Sequence, residues 1–110
     1  MTFPTARVGD VTVFEVSREL TLENRDELKR TVRIRLDAGD RKFVLDFHRT
    51  GFVDSSGLGV LVSLSKRIRE EEGELRLVGL SEELRTTFEL TRLDTLFQIC
   101  ESRAAALGEL

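Results

Sequence analysis

Short apolar runs alternate along this chain with longer segments of helical period, and that alternation limits the possible folds more than any other feature. Val11, Val13 and Val16 are β-branched, with Phe14 among them, so residues 11–17 are predicted to form a strand. Thr5–Val8 is a second strand-like run, and Gly9-Asp10 between the two predicts a tight hairpin. A helix begins within residues 21–24. Asn24 followed by Glu27 has capping-box spacing, with Thr21 as the rival cap. Leu28, Val32 and Leu36 recur every four residues as its buried stripe, and Gly39 lies just past its end. Asp26 and Arg30 are spaced to pair across one turn, and Ile34 falls nearly opposite the stripe.

Phe43, Val44 and Leu45 form an apolar run without alternation, which predicts a central strand ending at Asp46. A loop over residues 48–53 leads to a helix over about residues 56–71, with Leu58, Leu61, Val62, Ser65 and Ile68 on one face and Gly73 at its end. Leu75, Leu77 and Val78 form the next strand. Ser81 caps a third helix, with Glu82 and Glu83 in its first turn and Leu84 and Phe88 pointing inward. Residues 96–100 predict a last short strand, and residues 101–110 a terminal helix. Strand, helix, strand, helix, strand implies parallel neighbours joined by right-handed crossovers. The expected fold is α/β: one domain over residues 1–110, with a mixed four- to five-stranded sheet and packed helices.

The segment Asp54-Ser55-Ser56-Gly57-Leu58-Gly59 sits between a strand and a helix, the position at which open α/β sheets gather function. The plainest reading is that Asp54, Ser55 or Ser56 simply caps the helix. A second reading starts from the unpaired N–H groups and partial positive charge of a helix start. A phosphate on a serine there is tolerated by the fold. It also adds roughly −1.5 to −2 charges to the surface, which blocks a partner packed over the site. Gly57 and Gly59 remove side chains beside the hydroxyls and allow a partner or a neighbouring backbone to approach. Spacing alone does not separate Ser55 from Ser56.

Val44-Leu45-Asp46-Phe47, followed by Phe52-Val53-Asp54-Ser55-Ser56-Gly57-Leu58-Gly59-Val60-Leu61, resembles the signature of the STAS-domain anti-sigma factor antagonists. The later run, with Phe88-Glu89-Leu90-Thr91 and Leu93-Asp94-Thr95-Leu96-Phe97, is similar to that family's third helix and last strand. The likeness extends from Val11 to Cys100. It implies a STAS-like domain that is not an enzyme and needs no cofactor. In such proteins a serine-protein kinase, itself the anti-sigma factor, phosphorylates the serine after the aspartate, here Ser55. The unphosphorylated protein binds the anti-sigma factor and frees the sigma factor, and a PP2C-like phosphatase restores the active form. The partner-binding residues implied are Asp54, Ser55, Ser56, Gly57, Leu58 and Gly59. The alternative is a non-catalytic scaffold or accessory subunit of a stress-signalling or lipid-transport complex. The chain departs from the family at Arg18-Glu19-Leu20-Thr21, where relatives carry a Gly-x-Leu-Asp-like turn. It departs again at Arg92, where relatives often have Gly.

Composition narrows the field. A net charge of −3 disfavours direct nucleic-acid binding, and the chain has no Trp or Tyr to offer a stacking platform. Apolar runs are far shorter than the ~20 residues of a membrane span, the N-terminus lacks a signal-peptide pattern, and one cysteine, Cys100, forms no internal disulfide. The expected compartment is the cytoplasm. A single histidine, His48, builds no metal cluster, and Val53 breaks a Gly-x-Ser-x-Gly elbow, so a hydrolase is not indicated. Cys100 is read as a small core residue and Glu70-Glu71-Glu72 as a solvated helix end. Lys29, Arg30, Arg33 and Arg35 make the first long helix basic. That is either a solvated face or a contact with an acidic partner.

Overall fold

The computed structural model describes residues 3–109, with the side chain of Glu109 left undescribed. The elements run β1 Thr5–Val8, β2 Val11–Glu15, β3 Glu19–Leu20, α1 Arg25–Asp37, β4 Lys42–Asp46, β5 Phe52–Val53, α2 Ser55–Glu70, β6 Glu74–Val78, α3 Glu82–Leu90, a 3-10 turn Leu93–Thr95, β7 Gln98–Cys100 and α4 Arg103–Glu109. The main sheet has the order β1-β2-β4-β6-β7. β1 is antiparallel to β2 through the hairpin at Gly9, whose φ of 64° suits a tight turn, and the remaining pairs are parallel.

Alternation along the strands divides the core between the two faces of the sheet. Phe14, Phe43, Leu45 and Leu77 face α1, α2 and α3 and meet Leu28, Val32, Leu61, Leu64 and Phe88. The rings of Phe14 and Phe43 stack at 6.1 Å between centroids. Val11, Val13, Val44, Val78 and Cys100 lie on the opposite face, where Ala106 of α4 packs over them. β4 is therefore covered on both sides, as its unbroken apolar run requires. Each fully buried Leu or Phe contributes about 1.5–3 kcal/mol of burial, so the α1 stripe of Leu28, Val32 and Leu36 is enough to fix which face of the helix turns inward.

Several expectations are corrected. The stretch expected to be a loop over residues 48–53 contains β5, which pairs in parallel with β3 as a separate two-stranded ribbon. Asn24 occupies the N-cap of α1 without capping it. Its Oδ1 accepts from the amide of Thr21, and its Nδ2 donates to Ser17 Oγ and Glu19 O, so the side chain braces the preceding turn instead. Asp26 pairs with Arg25, not Arg30. The buried line of α2 runs through Gly57, Val60, Leu61, Leu64, Ser65 and Ile68. Leu58 and Val62 fall on its flank and are half-buried against the core. After α2 the left-handed residue is Glu72, at φ 61°. Gly73 is required for a different reason: a Cβ there would lie 2.6 Å from the carbonyl oxygen of Arg41. The strand expected from residue 96 begins only at Gln98, because Leu96 still closes the 3-10 turn. Ser81 caps α3 as expected, accepting from the Leu84 amide at 3.1 Å. Cys100 is buried.

Candidate functional site

The parallel strands β2 and β4 end at Glu15 and Asp46, and the ribbon β3–β5 extends that end of the sheet to the start of α2. Asp54 organises this corner. Its Oδ1 accepts from the amide of Gly57 at 2.7 Å, which makes it the N-cap of α2. Its Oδ2 accepts from the amide of Leu22 at 3.2 Å, and its own amide donates to Leu20 O at 3.1 Å. One residue thus fastens the turn over residues 18–22 to the helix start. Gly51 N donates to Arg18 O and Thr50 Oγ1 to Ser17 O, which complete the seam. The turn that departs from the family pattern therefore docks through its backbone, and the side chains of Arg18 and Glu19 are not what hold it.

Gly57 is buried because Leu20 O presses on it: a Cβ would lie 2.4 Å from that oxygen and 2.8 Å from Val53 Cγ1. Gly59, two residues on and on the outer side of the helix, is exposed, and a Cβ added there would meet nothing within 4 Å. Of the two roles expected for these glycines, close approach of neighbouring backbone belongs to Gly57 and open surface to Gly59.

Ser55 is the first residue of α2, not the residue before it, and it is exposed. Ser56 is half-buried. Among the described residues neither hydroxyl makes a hydrogen bond, and the amides of both have no acceptor. Asp54 already meets the capping requirement, so Ser55 has no structural duty to lose. Two apolar side chains that the sequence did not single out as site residues flank this corner. Leu22 is 62% exposed and Phe52 is 54% exposed. Only their closeness in sequence to the turn and to Asp54 could have pointed to them.

His48 and Asp46 stand at the end of β4. The amide of His48 donates to Asp46 Oδ1 at 2.9 Å, and Nδ1 of the ring lies 2.9 Å from the same oxygen. Arg103 Nε donates to Asp46 Oδ2 at 2.6 Å. Burial alone would raise the Asp46 carboxyl, but the His48 amide and the Arg103 guanidinium outweigh it and hold it below the usual carboxylate range. This arrangement ties α4 to the sheet and leaves His48 no contact with Ser55. Among the described residues no group of three His, Cys, Asp or Glu side chains is placed to hold a metal ion, and no helix is long and apolar enough to cross a membrane.

A five-stranded mixed sheet with four packed helices is the layout of a STAS domain. The family model for that domain matches residues 2–106, and the chain belongs to the STAS-domain anti-sigma factor antagonists. BtrV of Bordetella bronchiseptica, a candidate anti-sigma factor antagonist, is 34% identical over 83 residues, covering 76% of this chain and 72% of BtrV. The crystal structure of a candidate anti-sigma factor antagonist from Thermotoga maritima superposes with a TM-score of 0.92 at 31% identity, over 97% of this chain and 92% of that one. The anti-sigma factor antagonist SpoIIAA of Bacillus, solved unphosphorylated and phosphorylated, superposes with a TM-score of 0.76 in both forms, over 98% of this chain and 96% and 98% of SpoIIAA. At 17% and 19% identity it speaks for the fold alone.

Proposed function

We propose that this chain, acting as one STAS domain over residues 1–110, is a non-enzymatic cytoplasmic switch that binds an anti-sigma factor and is turned off by phosphorylation of Ser55. The unphosphorylated protein holds an anti-sigma factor that is also a serine kinase, and a sigma factor is released. Phosphate on Ser55 ends that complex, and a PP2C-like phosphatase renews it. The observation that carries the reading is the division of labour at the start of α2. Asp54 caps the helix, while Ser55 is exposed, without a hydrogen bond among the described residues, and next to unpaired amides. A phosphate there meets N–H donors and the positive end of the helix, so the fold accepts it. The partner surface meets the added charge instead. The docking face comprises Asp54, Ser55, Ser56, Gly57, Leu58 and Gly59. Gly57 and Asp54 supply its shape and Gly59 its open ground. That a protein of this fold, SpoIIAA, has been solved in a phosphorylated form supports the same reading.

The test is incubation with the host's anti-sigma factor kinases and ATP, followed by peptide mapping by mass spectrometry. Phosphate on Ser55 is expected; phosphate only on Ser56 or elsewhere refutes the assignment. Ser55→Ala should stay bound to the kinase with ATP present, while ATP dissolves the wild-type complex. A scaffold or accessory subunit would show no ATP dependence in either form.

A further inference from the structure

We infer that Phe52 and Leu22 are the apolar anchors that hold the anti-sigma factor at the Ser55 corner, and that phosphate on Ser55 acts by keeping their contact wet; the partner's identity rests on the reading above. Both side chains are more than half exposed. Register throws Phe52 outward. In the β3–β5 ribbon Leu20 stands opposite Val53 and Glu19 opposite Phe52. Leu20 and Val53 belong to the core, so alternation leaves Glu19 and Phe52 on the outer face. Leu22 lies in the turn that follows β3. Its amide donates to Asp54 Oδ2 at 3.2 Å, and the amides of Glu23 and Asn24 donate to Thr21, each at 3.2 Å.

A lone exposed apolar side chain is ordinary on a protein surface. Val8, Ile34, Leu90 and Leu96 are exposed as well, on β1, on α1, at the end of α3 and after the 3-10 turn. Phe52 and Leu22 differ in being fastened to the residue that caps α2. Asp54 accepts from Gly57 through Oδ1 and from Leu22 through Oδ2, and its amide donates to Leu20 O, in the strand that pairs with β5. The two side chains and Ser55 are thus presented by one braced stretch of backbone. Groups held in place before binding lose little freedom on binding, and an aromatic ring buried where water is excluded is the usual form of a strong contact. The exposed Arg18, Glu19 and Glu23 supply a polar rim.

This arrangement explains how a modification that leaves the fold intact can undo binding. An apolar contact contributes by removing its surface from water. The Ser55 hydroxyl is small and uncharged. A phosphate there carries roughly −1.5 to −2 charges and holds its hydration beside the two anchors, so a partner cannot dry them.

The probe is the host's purified anti-sigma factor kinase without ATP, titrated by calorimetry. Phe52→Ala should lose about ten-fold in affinity and Leu22→Ala about five-fold, with unchanged melting curves. Phe52→Leu and Leu22→Met should keep most of the affinity, which a distorted corner would not. In Ser55→Asp the same two alanine substitutions should cost less than about two-fold further, because the contact is already wet. The proposal is overturned if both alanine variants bind as wild type does. It is overturned too if their losses come with a lowered melting curve and are not regained by Phe52→Leu and Leu22→Met, or if the losses stay full in a Ser55→Asp that has itself lost affinity. Failure of the switch reads differently: Ser55→Asp would bind as wild type does, which removes the role given to phosphate, while weakened alanine variants would still support the anchors.

Discussion

The two ends of the sheet treat their polar groups in opposite ways. Where β4 begins, Asp40 is only 7% exposed and fully engaged: Arg7 Nη1 and Arg35 Nε reach its two oxygens, and Thr12 Oγ1 donates to it at 2.8 Å. Burial on its own would raise this carboxyl, but hydrogen bonds from Arg35, Thr12 and Arg7 hold it at about 2. At the far end, where α2 begins, Asp54 does the joining, while Ser55 and Gly59 contact nothing that depends on them. A group without a structural partner can change its chemistry without unfolding the protein. The closed end stores stability, and the open end is available for a signal.

The sharpest break in this contrast lies within the open end itself. Gly57→Ala should cost about 3 kcal/mol, the upper range of overpacking, because the new methyl meets the carbonyl oxygen of Leu20. Gly59→Ala, two residues on, should be neutral or stabilising by about 0.5–1 kcal/mol, since Ala is the better helix former and its Cβ meets nothing. Chemical denaturation of the two variants gives the comparison. If both lose stability alike, Gly57 is not pinned by the turn.

Asp40→Asn comes next, at about 1–3 kcal/mol for a buried acceptor no longer matched to its donors. It also has a pH signature. Because the folded carboxyl is depressed to about 2, its contribution is complete above the unfolded value near 4 and disappears as pH falls from about 4 to about 2. Melting temperature should therefore drop through that window in the wild type, and less steeply in Asp40→Asn. A smaller effect is expected at Arg92, held at φ 62° just after α3. Arg92→Gly should stabilise by about 1 kcal/mol, and thermal melts would show it. Glu72→Gly, at φ 61°, should do the same.

The contrast between the ends also marks what the sequence could disclose. The parallel β2–β4–β6 neighbours, the α1 stripe of Leu28, Val32 and Leu36 and the Ser81 cap depend on local pattern, and they were legible. The ribbon of β3 and β5 was not, because two-residue strands carry no period. Asn24 and Glu27 have the spacing of a capping box, yet Asn24 bonds backward to Thr21, Ser17 and Glu19, a choice made by the turn it supports. The Asp40 cluster joins Arg7 and Thr12 of the hairpin to a residue about thirty positions later, which no short window displays. At the candidate site, the placing of Asp54-Ser55-Ser56-Gly57 at a helix start could be read from sequence. Which residue caps and which is left over required coordinates, as did the true reason for Gly57.

Ser55→Asp tests the central claim most directly, with thermal melting and affinity for the anti-sigma factor kinase measured on the same sample. A carboxylate at the first turn of α2 should hold or raise stability, by about 0.3–1 kcal/mol, while affinity for the kinase falls at least ten-fold. A lowered melting temperature would show that Ser55 serves the fold after all, and unchanged affinity would show that no partner reads this position.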